Sequence, residues 1–180
     1  MKIIAMIPAR MGSKRIKNKN IRYLGDKPLI NHILENAKKS KYFSEIYINS
    51  ENFIFNNLAE ENNVKFYKRS NYLTSDKATN DEFAADFLKN VDCDILIQLL
   101  PTSPFIDSNT IDDFIKFMLN KKLDTLISIK EVKIECLYDG KSLNFDKKKH
   151  TPPSQKLKPV YAYACGIIGW KSKNLFTKFV

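Results

Sequence analysis

The chain has 180 residues, of which 43% are hydrophobic and 28% are charged, and its formal net charge is +10. This composition is ordinary for a soluble globular protein, and no apolar stretch approaches the roughly 20 residues of a membrane span. Three widely spaced cysteines and two histidines exclude a disulfide framework and a histidine-rich metal centre. The chain begins directly with a core strand and lacks a signal-peptide pattern. We therefore predict one domain over residues 1–180, located in a reducing cytoplasm and without a membrane partner.

The positive charge is concentrated in the first 41 residues. That stretch holds eleven lysines and arginines against two acidic residues, whereas the rest of the chain holds nineteen against eighteen. Such asymmetry favours a localised anionic ligand over a surface coated for nucleic acid. The sequence also lacks helix-turn-helix, RRM and KH signatures, so we predict no nucleic-acid partner.

The first predicted strand delivers most of this charge to its carboxyl end. Residues 3–7 form a continuous apolar run that is typical of a strand buried on both faces, and Pro8 ends it. A turn through Gly12 and Ser13 follows, with five cations within twelve residues: Arg10, Lys14, Arg15, Lys17 and Lys19. Loop amides and cations together favour a phosphate site, although the pattern also fits a solvated basic loop.

Strands and helices alternate through the first part of the chain. Helical spacing of apolar residues predicts a helix from Leu29 and another over about 53–62, and short apolar runs at 46–48 and 64–67 predict strands. This β-α-β-α-β order favours a parallel sheet with right-handed crossovers. A polar loop around Arg69 follows.

The second part of the chain repeats the proline-terminated strand. A helix over about 79–90 precedes an apolar run at 94–100, which ends at Pro101. Asp107 and Ser108 are candidate caps of the next helix, and a strand is predicted over 125–129. Asp139-Gly140 predicts a hairpin turn, and residues 161–170 predict a last core strand.

Two loops are therefore expected at one edge of the sheet. If both proline-terminated strands are parallel, the loops at 10–20 and 101–103 face the same edge, and the loop around Arg69 joins them. The resulting cleft would suit a nucleotide and its phosphates. The spacing of glycines differs from that of a P-loop and from the dinucleotide-binding fingerprint, so a different nucleotide-binding fold is required.

Several motifs together resemble one enzyme family. The segments are Ile7-Pro-Ala-Arg-Met-Gly-Ser-Lys14, Lys19-Asn20, Gly25-x-x-Pro-Leu29, Arg69-x-x-x-Leu73-x-x-Asp76, Leu100-Pro-Thr-Ser-Pro104, and Ser154-Gln155 followed by the strand 163–168. In this order they are similar to the acylneuraminate cytidylyltransferases, the CMP-sialic acid and CMP-nonulosonic acid synthetases. The resemblance implies a Rossmann-like three-layer α/β/α nucleotide-diphospho-sugar transferase fold, with a mainly parallel sheet and a β-hairpin excursion. It also implies transfer of CMP from CTP to the anomeric hydroxyl of a sialic-acid-like keto-sugar acid, with release of pyrophosphate and use of Mg²⁺.

The resemblance also implies roles for individual residues. The catalytic residues would be Arg10, Lys14 and Lys19, with the cations on the phosphates. The other nucleotide-binding residues would be Pro8, Ala9, Gly12, Ser13, Asn20, Arg69, Ala78, Thr79, Asn80, Leu100 and Thr102. Ser103 and Gln155 would approach the sugar. The sequence also allows structural roles: Lys19 as a solvated lysine, Asp76 as a helix cap, and Thr102 and Ser103 as turn-shaping residues.

The chain departs from the family pattern at the base and sugar positions and at its end. Leu100 replaces a frequent Gln, Ser154 replaces an Arg, and Cys165 replaces an Asn, which leaves the identity of the acceptor open. Family members typically continue through an Ile-Asp-x-Asp segment that binds the metal, so we expect a truncated chain or a differently held metal, and the metal ligands are unknown. By analogy we expect a homodimer that uses residues 131–160. The alternatives are a nucleotidylyltransferase acting on another sugar or polyol phosphate, and a nucleotide-binding module without turnover.

Overall fold

A computed structural model describes residues 1–75, 77–150 and 152–173. The strands in these ranges are β1 (Ile3–Pro8), β2 (Tyr23–Leu24), β3 (Lys27–Pro28), β4 (Glu45–Ser50), β5 (Lys65–Lys68), β6 (Ile95–Leu99), β7 (Thr125–Val132), β8 (Leu137–Tyr138), β9 (Lys141–Ser142) and β10 (Val160–Lys171). The α-helices are α1 (Leu29–Lys39), α2 (Ile54–Glu61), α3 (Asn80–Asn90) and α4 (Ser108–Asn120). Short 3₁₀ turns occupy Lys19–Ile21, Asn71–Thr74 and Ser154–Lys156.

Six strands form one sheet in the order β5-β4-β1-β6-β10-β7. β1 is parallel to both β4 and β6, and β4 is parallel to β5. β10 runs antiparallel to β6, with Ile167 opposite Leu99. The mainly parallel sheet predicted from the sequence is confirmed, and the carboxyl ends of β1 and β6 lie next to each other because these two strands are parallel neighbours.

The helices cover both faces of this sheet. Ile7 of β1 pairs with Ile48 of β4, and both belong to a buried cluster that also contains residues of α1, α2 and α4. Tyr47 of β4 points to the other face, because side chains alternate along a strand. There its ring meets Phe87 of α3, with a distance of 5.2 Å between the ring centroids. The three-layer α/β/α arrangement that the resemblance implied is therefore present.

Side-chain caps fix the beginnings of two helices. The Thr79 side chain accepts from the Glu82 backbone N–H at 3.2 Å, and the Glu82 carboxylate accepts from the Thr79 backbone N–H at 2.6 Å. The Asp107 carboxylate accepts from the Thr110 N–H at 2.7 Å, which confirms the predicted cap of α4. Asp76, the other capping candidate, lies outside the described residues.

The chain divides into two compact units, Met1–Leu126 with the segment from Gly166, and Ile127–Cys165. The first unit contains the carboxyl ends of β1 and β6. The second contains the β8–β9 hairpin, which the sequence predicted. Asp139 and Gly140 both have positive φ angles, 47° and 71°, as a type I′ turn requires.

Candidate functional site

A cavity of about 570 Å³ opens at the carboxyl ends of β1 and β6. The loops that follow these two strands form two of its walls, and the segment between β5 and the first turn of α3 forms another. The residues that line it are Pro8, Ala9, Arg10, Ser13, Lys14, Arg15, Ile16, Lys19, Asn20, Arg69, Leu73, Ser75, Ala78, Asn80, Phe83, Leu100, Pro101 and Thr102. All of them belong to the first unit.

The structure brings together most of the residues that the sequence singled out. Those at the cavity wall are Pro8, Ala9, Arg10, Ser13, Lys14, Lys19, Asn20, Arg69, Ala78, Asn80, Leu100 and Thr102. Gly12, Thr79 and Ser103 do not line the cavity, although each is adjacent in the chain to a residue that does. Gln155 is exposed and lies in the second unit, so its contact with a sugar stays a prediction.

Six lining residues had no individual role in the sequence-based prediction, although all except Phe83 lie in the loops predicted to form the cleft: Arg15, Ile16, Leu73, Ser75, Phe83 and Pro101. Arg15 was part of the cation cluster without a role of its own. The helical spacing of Phe83 favours a core position, but the structure places Phe83 at the cavity wall. Its position at the first turn of α3, beside the end of the Arg69 loop, was the signal for a place in the cavity wall.

Three polar side chains hold successive backbone positions in the loop after β1. Arg69 Nη2 donates to the Ala9 carbonyl at 3.0 Å. Asn20 Nδ2 donates to the Arg10 carbonyl at 3.2 Å, and the Met11 N–H donates to Glu51 Oε1 at 2.9 Å. The backbone at Arg10 and at both of its neighbours is therefore hydrogen-bonded by three different side chains.

The Arg10 side chain connects the loop after β1 to the loop after β5. Its Nη1 donates to the Thr74 carbonyl at 2.9 Å. Thr74 ends the 3₁₀ turn Asn71–Thr74, which lies between Arg69 and the cavity residues Ser75 and Ala78. The loop after β1, called the cation loop, is thus joined directly to the loop that begins at Arg69, called the Arg69 loop.

Arg69 is itself part of the protein framework. Only 4% of the residue is exposed, its Nη2 lies 3.6 Å from a Glu51 carboxylate oxygen, and its guanidinium lies 5.2 Å from the centre of the Phe83 ring. Burial lowers the pKa of Arg69, while the Glu51 carboxylate opposes that shift. An arginine keeps its charge under such conditions. Arg69 therefore shapes the cavity through contacts with backbone, carboxylate and ring.

The turn after β6 is held against the last strand of the first unit. The Ser103 N–H donates to the Leu100 carbonyl at 3.0 Å, and the Leu100 N–H donates to the Gly166 carbonyl at 3.0 Å. A Cβ atom at Gly166 would lie 3.0 Å from Ser103 Oγ, so the Ser103 side chain would have to move to accommodate a larger residue. The position of Thr102 at the cavity depends on this packing.

The charge of the cavity wall suits an anion. Arg10, Lys14, Arg15, Lys19 and Arg69 line it, and none of its described residues is an aspartate or glutamate. Such a wall favours the charge of phosphate groups in a partly enclosed site, where water screens less.

The same wall does not by itself suit a magnesium ion. Mg²⁺ is bound in proteins chiefly through carboxylate oxygens. Across the described ranges, no three His, Cys, Asp or Glu residues group in a way that could hold a metal ion. Mg²⁺ stays a prediction from the resemblance. Within the same ranges, no helix has the length and apolar character needed to cross a membrane.

A sequence model of the cytidylyltransferase family matches residues 4–150. The chain belongs to the cytidylyltransferase family. The family assignment predicted from the motifs is thereby confirmed, and the cavity residues between Pro8 and Thr102 all lie inside the matched range.

Individual members of the family show the same relationship. The N-acylneuraminate cytidylyltransferase of Escherichia coli O18:K1:H7 is 36% identical over 130 residues, which are 71% of this chain and 31% of that protein. The 3-deoxy-manno-octulosonate cytidylyltransferase of Bdellovibrio bacteriovorus is 32% identical over 125 residues, which are 69% of this chain and 49% of that protein. The chain thus spans about a third to a half of the length of these curated relatives.

A solved structure supports the fold. CMP:2-keto-3-deoxy-manno-octonic acid synthetase complexed with CTP has a TM-score of 0.74 to this chain at 19% identity, and the match covers 99% of this chain and 77% of that chain. At this identity the likeness concerns the fold alone. The Rossmann-like α/β fold implied by the motifs is confirmed.

Proposed function

We propose that this cytidylyltransferase-family chain binds CTP in the cavity at the carboxyl ends of β1 and β6 and transfers CMP to a sialic-acid-like keto-sugar acid. The observation that carries the proposal is the cavity wall, which gathers five cations and no described carboxylate. A nucleoside triphosphate is the anion that this cavity fits best, because about 570 Å³ accommodates a nucleotide-sized ligand.

The chemistry is a substitution at the α-phosphorus. The anomeric hydroxyl oxygen of the sugar acid forms a new bond to that phosphorus, and the bond to the bridging oxygen of the β-phosphate breaks. The hydroxyl proton leaves to solvent or to a base, and pyrophosphate departs. Arg10, Lys14 and Lys19 stabilise the charge that accumulates on the phosphate oxygens, which is the main demand of phosphoryl-transfer reactions.

The family relatives support a sugar acid as the acceptor. The Escherichia coli relative is named for N-acylneuraminate and the Bdellovibrio relative for 3-deoxy-manno-octulosonate. Both names describe an acidic sugar, so we assign the acceptor to this class. Leu100, Ser154 and Cys165 depart from the family pattern on the base and sugar sides, and we therefore leave the individual acid unassigned.

Pyrophosphate release tests the proposal. The chain is incubated with Mg²⁺ and each of CTP, UTP, GTP and ATP, against a panel of sugar acids and a panel of sugar and polyol phosphates. We expect release only with CTP and at least one sugar acid. Turnover with a sugar or polyol phosphate and no sugar acid would show a different nucleotidylyltransferase. CTP binding without any turnover would show a nucleotide-binding module.

The proposal extends to a cytoplasmic location and to the use of Mg²⁺, both of which rest on the family resemblance. It also includes a homodimer. The second unit supports the dimer, because seven of its large apolar side chains are exposed: Ile129, Ile134, Leu137, Tyr138, Leu143, Tyr161 and Tyr163. Large exposed apolar surfaces are typical of protein contacts, and we propose that these side chains form one. Light scattering on a size-exclusion column would give the mass in solution, and a monomer at assay concentration would exclude the dimer.

A further inference from the structure

Glu51 joins the cation loop to Arg69. One carboxylate oxygen, Oε1, accepts from the Met11 N–H at 2.9 Å, and the other, Oε2, lies 3.6 Å from Arg69 Nη2. The Ser50 hydroxyl donates to Oε2 at 3.3 Å. Only 15% of the Glu51 side chain is exposed, so this carboxylate is committed to protein partners.

The sheet explains why Glu51 reaches the loop. β4 runs parallel to β1, and Pro8, the last residue of β1, lies opposite Asn49. The Ala9 N–H extends this pairing by donating to the Asn49 carbonyl at 3.0 Å. The residue that follows β4 therefore lies beside the residues that follow β1. A carboxylate at this position meets the Met11 N–H of the loop.

We infer that Glu51 is a positioning residue for the cation loop, which would bind the phosphates. This inference rests on the proposed function, because it assigns Glu51 a part in binding the CTP triphosphate. Glu51 and Arg69 act together on the two neighbours of Arg10, since Arg69 binds the Ala9 carbonyl and Glu51 binds the Met11 N–H. Glu51 is not among the described residues that line the cavity, so we assign it no contact with substrate. It fixes the backbone from which Arg10 reaches the phosphates.

Simple electrostatics and positioning predict opposite results when Glu51 is replaced. A nearby carboxylate repels a triphosphate, so its removal should tighten CTP binding if charge alone mattered. If Glu51 positions the loop, its removal frees the Met11 N–H and leaves Arg69 without its charge partner. The loop then has to be ordered when CTP binds, and CTP binding becomes weaker. The direction of the change separates the two.

Calorimetric titration with CTP measures that direction. We expect Glu51→Ala to weaken CTP affinity roughly tenfold, because a hydrogen bond to a charged group and an ion pair are lost together. Glu51→Gln keeps an oxygen for Met11 and loses only the ion pair, so its loss should be smaller. Unchanged or tighter CTP binding by Glu51→Ala would overturn the inference.

Two control variants separate positioning from charge and from stability. Glu61→Ala removes an exposed carboxylate at the end of α2, away from the loop, and should leave CTP affinity within about twofold of wild type. Ala59→Gly destabilises the buried side of α2 without touching the loop. It should lower the melting temperature and leave CTP affinity unchanged. If Ala59→Gly weakened CTP binding as much as Glu51→Ala, a general loss of stability would explain both and the inference would fall.

Hydrogen exchange at the Met11 amide tests the hydrogen bond between Met11 and Glu51 without CTP. In the free protein, Glu51→Ala should increase the exchange rate at Met11 at least tenfold relative to Glu61→Ala. If wild-type protein does not bind CTP, the proposed function fails, and this measurement still decides whether Glu51 holds the loop. Unchanged protection at Met11 would contradict the inference whatever the ligand is.

Discussion

The guanidinium of Arg69 donates to the carbonyl of Ala9 at 3.0 Å, across a separation of 60 residues. This bond crosses from the residue after β5 to the residue after β1, over the end of β4. Only 4% of Arg69 is exposed, so losing this bond would leave a largely buried polar group without its partner. The relationship makes one arginine a structural support of the cation loop and also a part of the cavity wall.

Replacing Arg69 with lysine should therefore destabilise the protein. A lysine has no planar fork that can bond the Ala9 carbonyl, face Glu51 and lie over the Phe83 ring together. We expect Arg69→Lys to lower the free energy of unfolding by about 1–3 kcal/mol, which is typical for the loss of a buried charged hydrogen bond. Urea denaturation measures this change in the free energy of unfolding, with Lys89→Arg at the exposed end of α3 as a control. A change no larger than that of the control would show that the contact contributes nothing.

Replacing Lys14 should weaken CTP binding. Lys14 lines the cavity, and by resemblance it contacts the phosphates. We expect Lys14→Ala to reduce CTP affinity roughly tenfold, with a weaker dependence of affinity on salt, because one cation fewer faces the triphosphate. The matched control is Lys17→Ala, since Lys17 is exposed in the same loop and does not line the cavity. Equal effects of both substitutions on calorimetric affinity would indicate a diffuse basic patch.

A methyl group at Gly166 should disturb the turn after β6. It would lie 2.7 Å from Ile106 Cδ1 and 3.0 Å from Ser103 Oγ, both closer than ordinary contact. We expect Gly166→Ala to lower the free energy of unfolding by roughly 1–3 kcal/mol through this overpacking. Gly12→Ala is the control, because no atom lies within 4 Å of the added methyl group there. Thermal unfolding of the two variants should differ clearly, and matching melting temperatures would disprove the steric argument.

The capping box of α3 should make stability depend on pH in the acid range. Hydrogen bonds from the Thr79 backbone N–H and then from its hydroxyl lower the pKa of Glu82. The pKa is thus lower in the folded than in the unfolded protein. The stabilisation is therefore present above the unfolded value, roughly 4.3, and is lost as the pH falls through the folded value.

A comparison with Glu82→Gln isolates this effect. The wild type should melt at a higher temperature than Glu82→Gln at pH 7, and the difference should shrink below about pH 4, where the carboxyl group becomes neutral. Glu61→Gln, at an exposed position of α2, should show no such trend. A difference between wild type and Glu82→Gln that stays constant from pH 3 to pH 7 would contradict the assignment.

Local patterns in the sequence were sufficient for the elements and for much of the cavity wall. The apolar run before Pro8 and the one before Pro101 each predicted a buried strand, and both strands lie in the centre of the sheet. Asp139-Gly140 predicted the hairpin because a type I′ turn requires positive φ at both positions. The cations after β1 marked one wall of the cavity. These features depend on neighbours two to four residues apart, which is the range over which a sequence pattern acts.

Only the tertiary structure decided how the loop after β1 is held. Glu51 contacts Met11 across 40 residues, and Arg69 contacts Ala9 across 60. Nothing in the local pattern distinguishes Glu51 from any other acidic residue after a strand, because its partners are set by which strands pair and in which register. The order β5-β4-β1 places the residues after three strands side by side. That adjacency turns a basic loop into a braced cavity wall.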